Sequence, residues 1–171
     1  MDSAVGLVQT YLRVNGYFTV VEYPVVELRG GFRTATDLDI LAFRFPEAGR
    51  LIPGETGTGR RRHPPFTTDP HLKVPDGGAD MLVGEVKEGE AKFNRGGRRV
   101  EVIAAALARF GRCPVEAAEA IAKSVIRSGR ASTPHGHAVR LVAFGSVAGG
   151  AAASPQGERG QALAAHEGGA T

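Results

Sequence analysis

The sequence predicts an α/β protein, a mixed sheet sandwiched by helices, and three observations carry that reading. Apolar residues recur at helical spacing from Ser3 to Val14 and again between Val100 and Ile126. Three segments rich in β-branched and aromatic residues lie between these helical stretches, and a fourth follows them. The order is therefore helix, three strands, one or two helices, strand. A helical connection of this kind allows the final strand to run parallel to an inner one.

Taken in order, the first helix places Val5, Val8 and Leu12, with Leu7, Tyr11 and Val14, at helical intervals; Asp2 or Ser3 caps it and Asn15-Gly16 stops it. Tyr17 to Leu28 reads as a strand in which Pro24 marks a bend, a bulge or an edge position. Gly30-Gly31 turns the chain into Thr36 to Phe45, completing a long hairpin. Between about 46 and 80 the periodicity fails, and prolines alternate with glycines around the run Arg60-Arg61-Arg62-His63, which reads as an insertion. Strand character resumes at Met81 and ends at Lys87. A helix then carries Val100, Ile103, Ala104, Leu107 and Phe110 on one face and closes at Gly111. Another opens at Pro114 and ends at Gly129. His137 to Phe144 is the last strand, and the Ala/Gly-rich stretch 146–171 is expected to be a disordered tail. The domain expected is thus 1–145, with its insertion.

A chain of 171 residues is long enough for one real core, and 42% hydrophobic with 23% charged residues is a globular composition. The formal charge of +3 permits a polyanionic partner without requiring one. The excess is concentrated: seven Lys/Arg stand against four Glu from Met81 to Arg112. Cys113 is the single cysteine, which excludes an intrachain disulfide and a thiolate-rich zinc site. The N-terminus lacks a basic segment followed by an apolar one, and no apolar run approaches the ~18 residues of a spanning helix. These features lead us to expect a soluble, cytoplasmic protein with no membrane partner.

The chemistry centres on Glu85-Val86-Lys87 and on Asp37-Leu38-Asp39. Side chains alternate along a strand, so Glu85 and Lys87 share one side, and Asp37 and Asp39 are expected to share a side likewise. On neighbouring strands a carboxylate from each and a lysine ammonium converge. Glu-Val-Lys by itself is a common solvated face. Its apolar neighbours Leu82 and Val83, and Ile40, Leu41 and Ala42 beside Asp39, would bury these charges, and buried charges need a partner or a metal.

The element order, with Asp39 before apolar residues on the second strand and Glu85-Val86-Lys87 on the third, resembles the PD-(D/E)XK nuclease superfamily over roughly Ser3 to Gly145. The resemblance implies a restriction-endonuclease-like αβββαβ core and hydrolysis of DNA phosphodiester bonds by attack of a Mg²⁺-bound water, with Mn²⁺ able to substitute. It implies that Asp39, Glu85 and the Val86 carbonyl hold the metal, and that Lys87 orients or deprotonates the water. Asp37 and Gln9 are candidate partners of that set. Lys92, Asn94, Arg98 and Arg99 are candidate phosphate contacts, and Arg60, Arg61 and Arg62 would reach a second groove or strand. The gap from Asp39 to Glu85 is longer than in a bare family core, hence the insertion. Double-strand cutters in the family often pair, so a homodimer is also a candidate. A catalytically silent nucleic-acid- or protein-binding module on the same fold is the alternative.

Other motifs weaken on inspection. Gly54 to Arg61 imitates a phosphate-binding loop, but Arg60 and Arg61 replace the Lys and Ser/Thr it needs. His63, His71, His135 and His137 lack the spacing and the cysteine partners of a zinc site. Cys113 has no His or Asp placed to activate it.

Overall fold

The chain begins with α1 (Ser3–Val14), whose N-cap Asp2 accepts a hydrogen bond from the Ala4 N–H and whose stop is Asn15-Gly16, with Gly16 at φ 84°. The computed structural model describes residues 2–28, 30–48, 67–147 and 161–164. Val5, Val8 and Leu12 form the buried stripe, while Leu7 and Val14 face solvent. Two strands follow, β1 (Phe18–Leu28) and β2 (Phe32–Arg44), paired antiparallel around Gly30 and Gly31, both at positive φ. β3 (Asp80–Glu90) pairs antiparallel with β2. Then come α2 (Val100–Arg109), α3 (Val115–Ser128), the short β4 (Arg130–Ser132) and β5 (Ala138–Val147).

The sheet order is β1-β2-β3-β5-β4, and β6 (Gln161–Ala164) pairs with β5. β5 runs parallel to β3, as the crossover through α2 and α3 requires. β1 is the edge strand, which is where Pro24 can sit without breaking a ladder, and a register shift falls beside it between Val25 and Val26.

β3 separates two apolar cores. Met81 and Val83 point to the side covered by α2 and α3, while Leu82 and Val86 point to the side covered by α1. Gly84 faces the α1 side, where an added Cβ would lie 2.5 Å from Ile40 Cγ2, so only glycine fits. By this alternation Glu85 and Lys87 project on the α2/α3 side.

At its N-terminal end β3 begins in a buried charge cluster. Asp80 accepts hydrogen bonds from Arg140 Nε at 3.0 Å, Arg140 Nη2 at 2.6 Å and the Tyr17 hydroxyl at 2.6 Å. Arg140 Nη1 donates to the Leu72 and Lys73 carbonyls at 2.7 and 3.3 Å. Leu72 belongs to a single 3₁₀ turn, Pro70–Leu72, capped by Asp69. The second half of the expected insertion is therefore tied into the core.

Arg60, Arg61, Arg62 and His63 lie outside the described residues, as does most of the expected disordered tail. Within that tail Gln161–Ala164 form β6. Among the described residues no helix is long and apolar enough to cross a membrane.

Candidate active site

The ladder between β2 and β3 ends at the pair Ile40 and Gly84. One step further, where Asp39 and Glu85 would pair, the ladder stops and the side chain of Asp39 replaces the backbone: its Oδ2 accepts the Val86 N–H at 2.8 Å. The strict alternation on β2 breaks at this level. Leu38 packs with the α2/α3 core and Ile40 with the α1 core, although they are two residues apart. On β1 the residue between the partners of these two is Glu22, which adopts φ 51° without being glycine. An outlier of this kind needs support from its surroundings, and such outliers cluster at functional sites.

Glu85 is only 2% exposed, and its Oε1 receives two donors. Lys87 Nζ lies 2.5 Å from it and Asn94 Nδ2 lies 2.6 Å from it. Burial lowers the Lys87 pKa, but the hydrogen bond and charge of Glu85 and the charge of Asp39 outweigh it and hold the group above its ordinary value. Lys87 is thus a firmly held ammonium between two carboxylates, its side chain 36% exposed.

The loop from β3 to α2 closes over this pair. Asn94 Oδ1 accepts the Gly97 N–H at 2.6 Å, which folds the loop into a tight turn. Gly97 is buried against Glu85: an added Cβ would lie 3.2 Å from Glu85 Oε2. Gly96 rests in the same way on Thr36, with 3.0 Å from an added Cβ to Oγ1.

Of the residues singled out by sequence, Asp39, Glu85, Lys87 and Val86 are brought together, Val86 through its N–H. Thr36 and Leu38 both face the α2/α3 side, so exposed Asp37 between them turns away, and it does not share a side with Asp39 as strict alternation would have it. Gln9 lies on α1, across the sheet from the face that bears Glu85. Arg98 donates to the Ile126 carbonyl at 3.1 Å, and Arg99 lies 3.7 Å from both Glu27 and Glu101. Among the described residues Lys92 and Arg95 are exposed and make no hydrogen bond or ion pair. Arg95 and Gly97 escaped the sequence reading; the signal available for them was the Asn94-Arg95-Gly96-Gly97 turn composition next to Glu85-Val86-Lys87.

Asp39 and Glu85 are carboxylates on neighbouring strands, the ligand type Mg²⁺ takes, and Glu85 Oε2 lies toward a residue that has no side chain. Among the described residues no group of three or more His, Cys, Asp or Glu is arranged around a common point. A scan against protein-family models gave no match to this chain, and searches of curated proteins and of solved structures likewise gave none.

Proposed function

We propose that the chain is a metal-dependent nuclease of the PD-(D/E)XK type, hydrolysing phosphodiester bonds of DNA on a restriction-endonuclease-like αβββαβ core. The single observation behind this reading is that, just past the last β2–β3 pair, Asp39 is bonded to the Val86 N–H while its neighbour in β3, Glu85, is paired with Lys87. Mg²⁺ held by Asp39 and Glu85 would supply charge neutralisation and a nucleophile near neutral pH. Asp39 is oriented for this by the Val86 N–H, and Glu85 by Lys87 and Asn94. Lys87 neutralises negative charge that builds on the phosphate and orients or deprotonates the attacking water. Among the described residues Lys92 and Arg95, on the loop that covers Glu85, are cations available for backbone phosphates, which position a nucleic acid without reading its sequence.

A cleavage panel of linear, nicked, branched and single-stranded DNA with Mg²⁺ or Mn²⁺ tests the proposal. Glu85→Ala is expected to abolish metal-dependent cleavage, and Lys87→Ala to lower kcat by about 10²-fold or more, the range for loss of one electrostatic stabiliser. Wild-type rates in both folded variants would overturn it.

The ion pair already made between Glu85 and Lys87 favours a second reading, a silent module that binds nucleic acid. Salt-sensitive DNA binding indifferent to Mg²⁺ and EDTA, with no cleavage of any substrate, would select it.

A further inference from the structure

The loop that covers Glu85 does more than connect β3 to α2. Asn94 is engaged at both ends of its side-chain amide: Nδ2 donates to Glu85 Oε1 at 2.6 Å, and Oδ1 accepts the Gly97 N–H at 2.6 Å. This fixes which way the amide points, because only the NH₂ end can donate to a carboxylate. Lys87 occupies the same oxygen, Oε1. Both donors therefore crowd one oxygen of Glu85, and the other, Oε2, is turned toward Gly97. Gly97 is not at positive φ, so its backbone does not call for glycine; its surroundings do, since an added Cβ would lie 3.2 Å from Oε2 and 3.4 Å from Asn94 Oδ1.

We propose that Asn94 is a positioning residue for the Glu85 carboxylate: it locks Oε1 inward with Lys87 and leaves Oε2, on the side bordered by Gly97, as the single oxygen presented to a divalent cation. The identity of the ligand as a divalent cation rests on the nuclease reading above; the lock itself rests on the hydrogen bonds. Asn94 touches neither cation nor phosphate in this role, and so is distinct from a phosphate contact. Partners of this kind, one bond removed from the metal, typically change metal affinity or activity by about 10- to 100-fold when lost.

The test is Mn²⁺ binding by the full chain without nucleic acid, read from the electron paramagnetic resonance signal of free Mn²⁺, alongside thermal unfolding of each variant. Asn94→Ala is expected to weaken Mn²⁺ about 10-fold. Gly97→Ala, which keeps the N–H that bonds Asn94 but places a methyl group 3.2 Å from Oε2 and 3.4 Å from Asn94 Oδ1, is expected to weaken it comparably, and Glu85→Gln to remove it. A purely structural role for the turn would lower the melting temperature of Asn94→Ala and leave the Mn²⁺ affinity of the folded protein where it was; that result overturns the positioning role. If Asn94→Ala does not fold, Gly97→Ala decides, and wild-type affinity there overturns the assignment of Oε2. Failure of the nuclease reading looks different: the wild-type chain itself would take up no Mn²⁺, and the proposal would fall with it. Mn²⁺ bound by wild type and lost in Glu85→Gln, but unchanged in both loop variants, would sink only the lock.

Discussion

The two ends of β3 each bury a carboxylate, and they are finished differently. At Asp80 both oxygens are used, by two nitrogens of Arg140 and by the Tyr17 hydroxyl, and a further Arg140 nitrogen is taken up by backbone carbonyls. At Glu85 two donors share one oxygen, the cation is a lysine with its side chain 36% exposed, and the other oxygen faces a glycine. The residues are equally buried, at 2% exposure each. Equal burial therefore goes with different finish: both oxygens of Asp80 accept hydrogen bonds, whereas the described donors to Glu85 all fall on Oε1.

The contrast can be broken most forcefully at the closed end. Arg140→Met leaves Asp80 buried without the cation that hydrogen-bonds it and should cost about 3 to 5 kcal/mol, measured by urea unfolding. Replacing Asp80 and Arg140 together with apolar residues should cost much less than Arg140→Met alone, because no buried charge is then stranded. Lys87→Met, by comparison, should cost only about 1 kcal/mol, since a partly exposed lysine contributes little and Asn94 still serves Glu85. If Lys87→Met proved as damaging as Arg140→Met, the two ends would be energetically alike and the distinction would fail. Tyr17→Phe removes one of three donors from Asp80 and should cost about 1 kcal/mol.

The smallest expected effect concerns the segment that supports Arg140. Asp69 accepts from the His71 N–H and from the Tyr11 hydroxyl, each at 2.8 Å. The His71 backbone bond first, and then Tyr11, hold the Asp69 carboxyl below its ordinary value of 3.8. A depressed carboxyl stabilises the native state above its unfolded pKa, and that contribution is lost as pH falls through the folded value. Asp69→Asn should therefore flatten the loss of stability between neutral pH and the region below 3.8, seen as a smaller shift in urea midpoint than in wild type. An unchanged acid limb would assign that loss to other carboxyls.

Much of this arrangement can be read from residue order. The helical stripe of Val5, Val8 and Leu12 and the alternation of Met81 to Val86 mark the faces that must be covered, and a helical crossover leaves parallel pairing as the natural position for the last strand. The approach of Asp39 to the Glu85-Val86 backbone follows once β2 and β3 are neighbours. The break in alternation between Leu38 and Ile40 was not legible: it depends on Glu22 at φ 51°, in a strand where no glycine or Asn-Gly pair announces it. The Asp80 cluster was hidden for a different reason. Tyr17, Asp80 and Arg140 lie on three separate elements, and only the parallel register, which sets Leu82 beside Arg140, brings them together. The role of Asn94 was hidden because a turn's composition says that the chain reverses, not where an amide points. β6 was hidden by its composition, since a sheet edge recruits a partner through backbone groups and needs few apolar side chains.

The bond between Tyr17 and Arg140 joins residues 123 positions apart. Synthesis from the N-terminus delivers Asp39, Glu85 and Lys87 long before Arg140. Until β5 emerges, β3 is a raw sheet edge, Asp80 lacks the guanidinium that hydrogen-bonds it, and the strand that carries Glu85 has one neighbour instead of two. The charge pair at one end of the strand thus waits for β5, which also gives the strand that carries Glu85 its second neighbour.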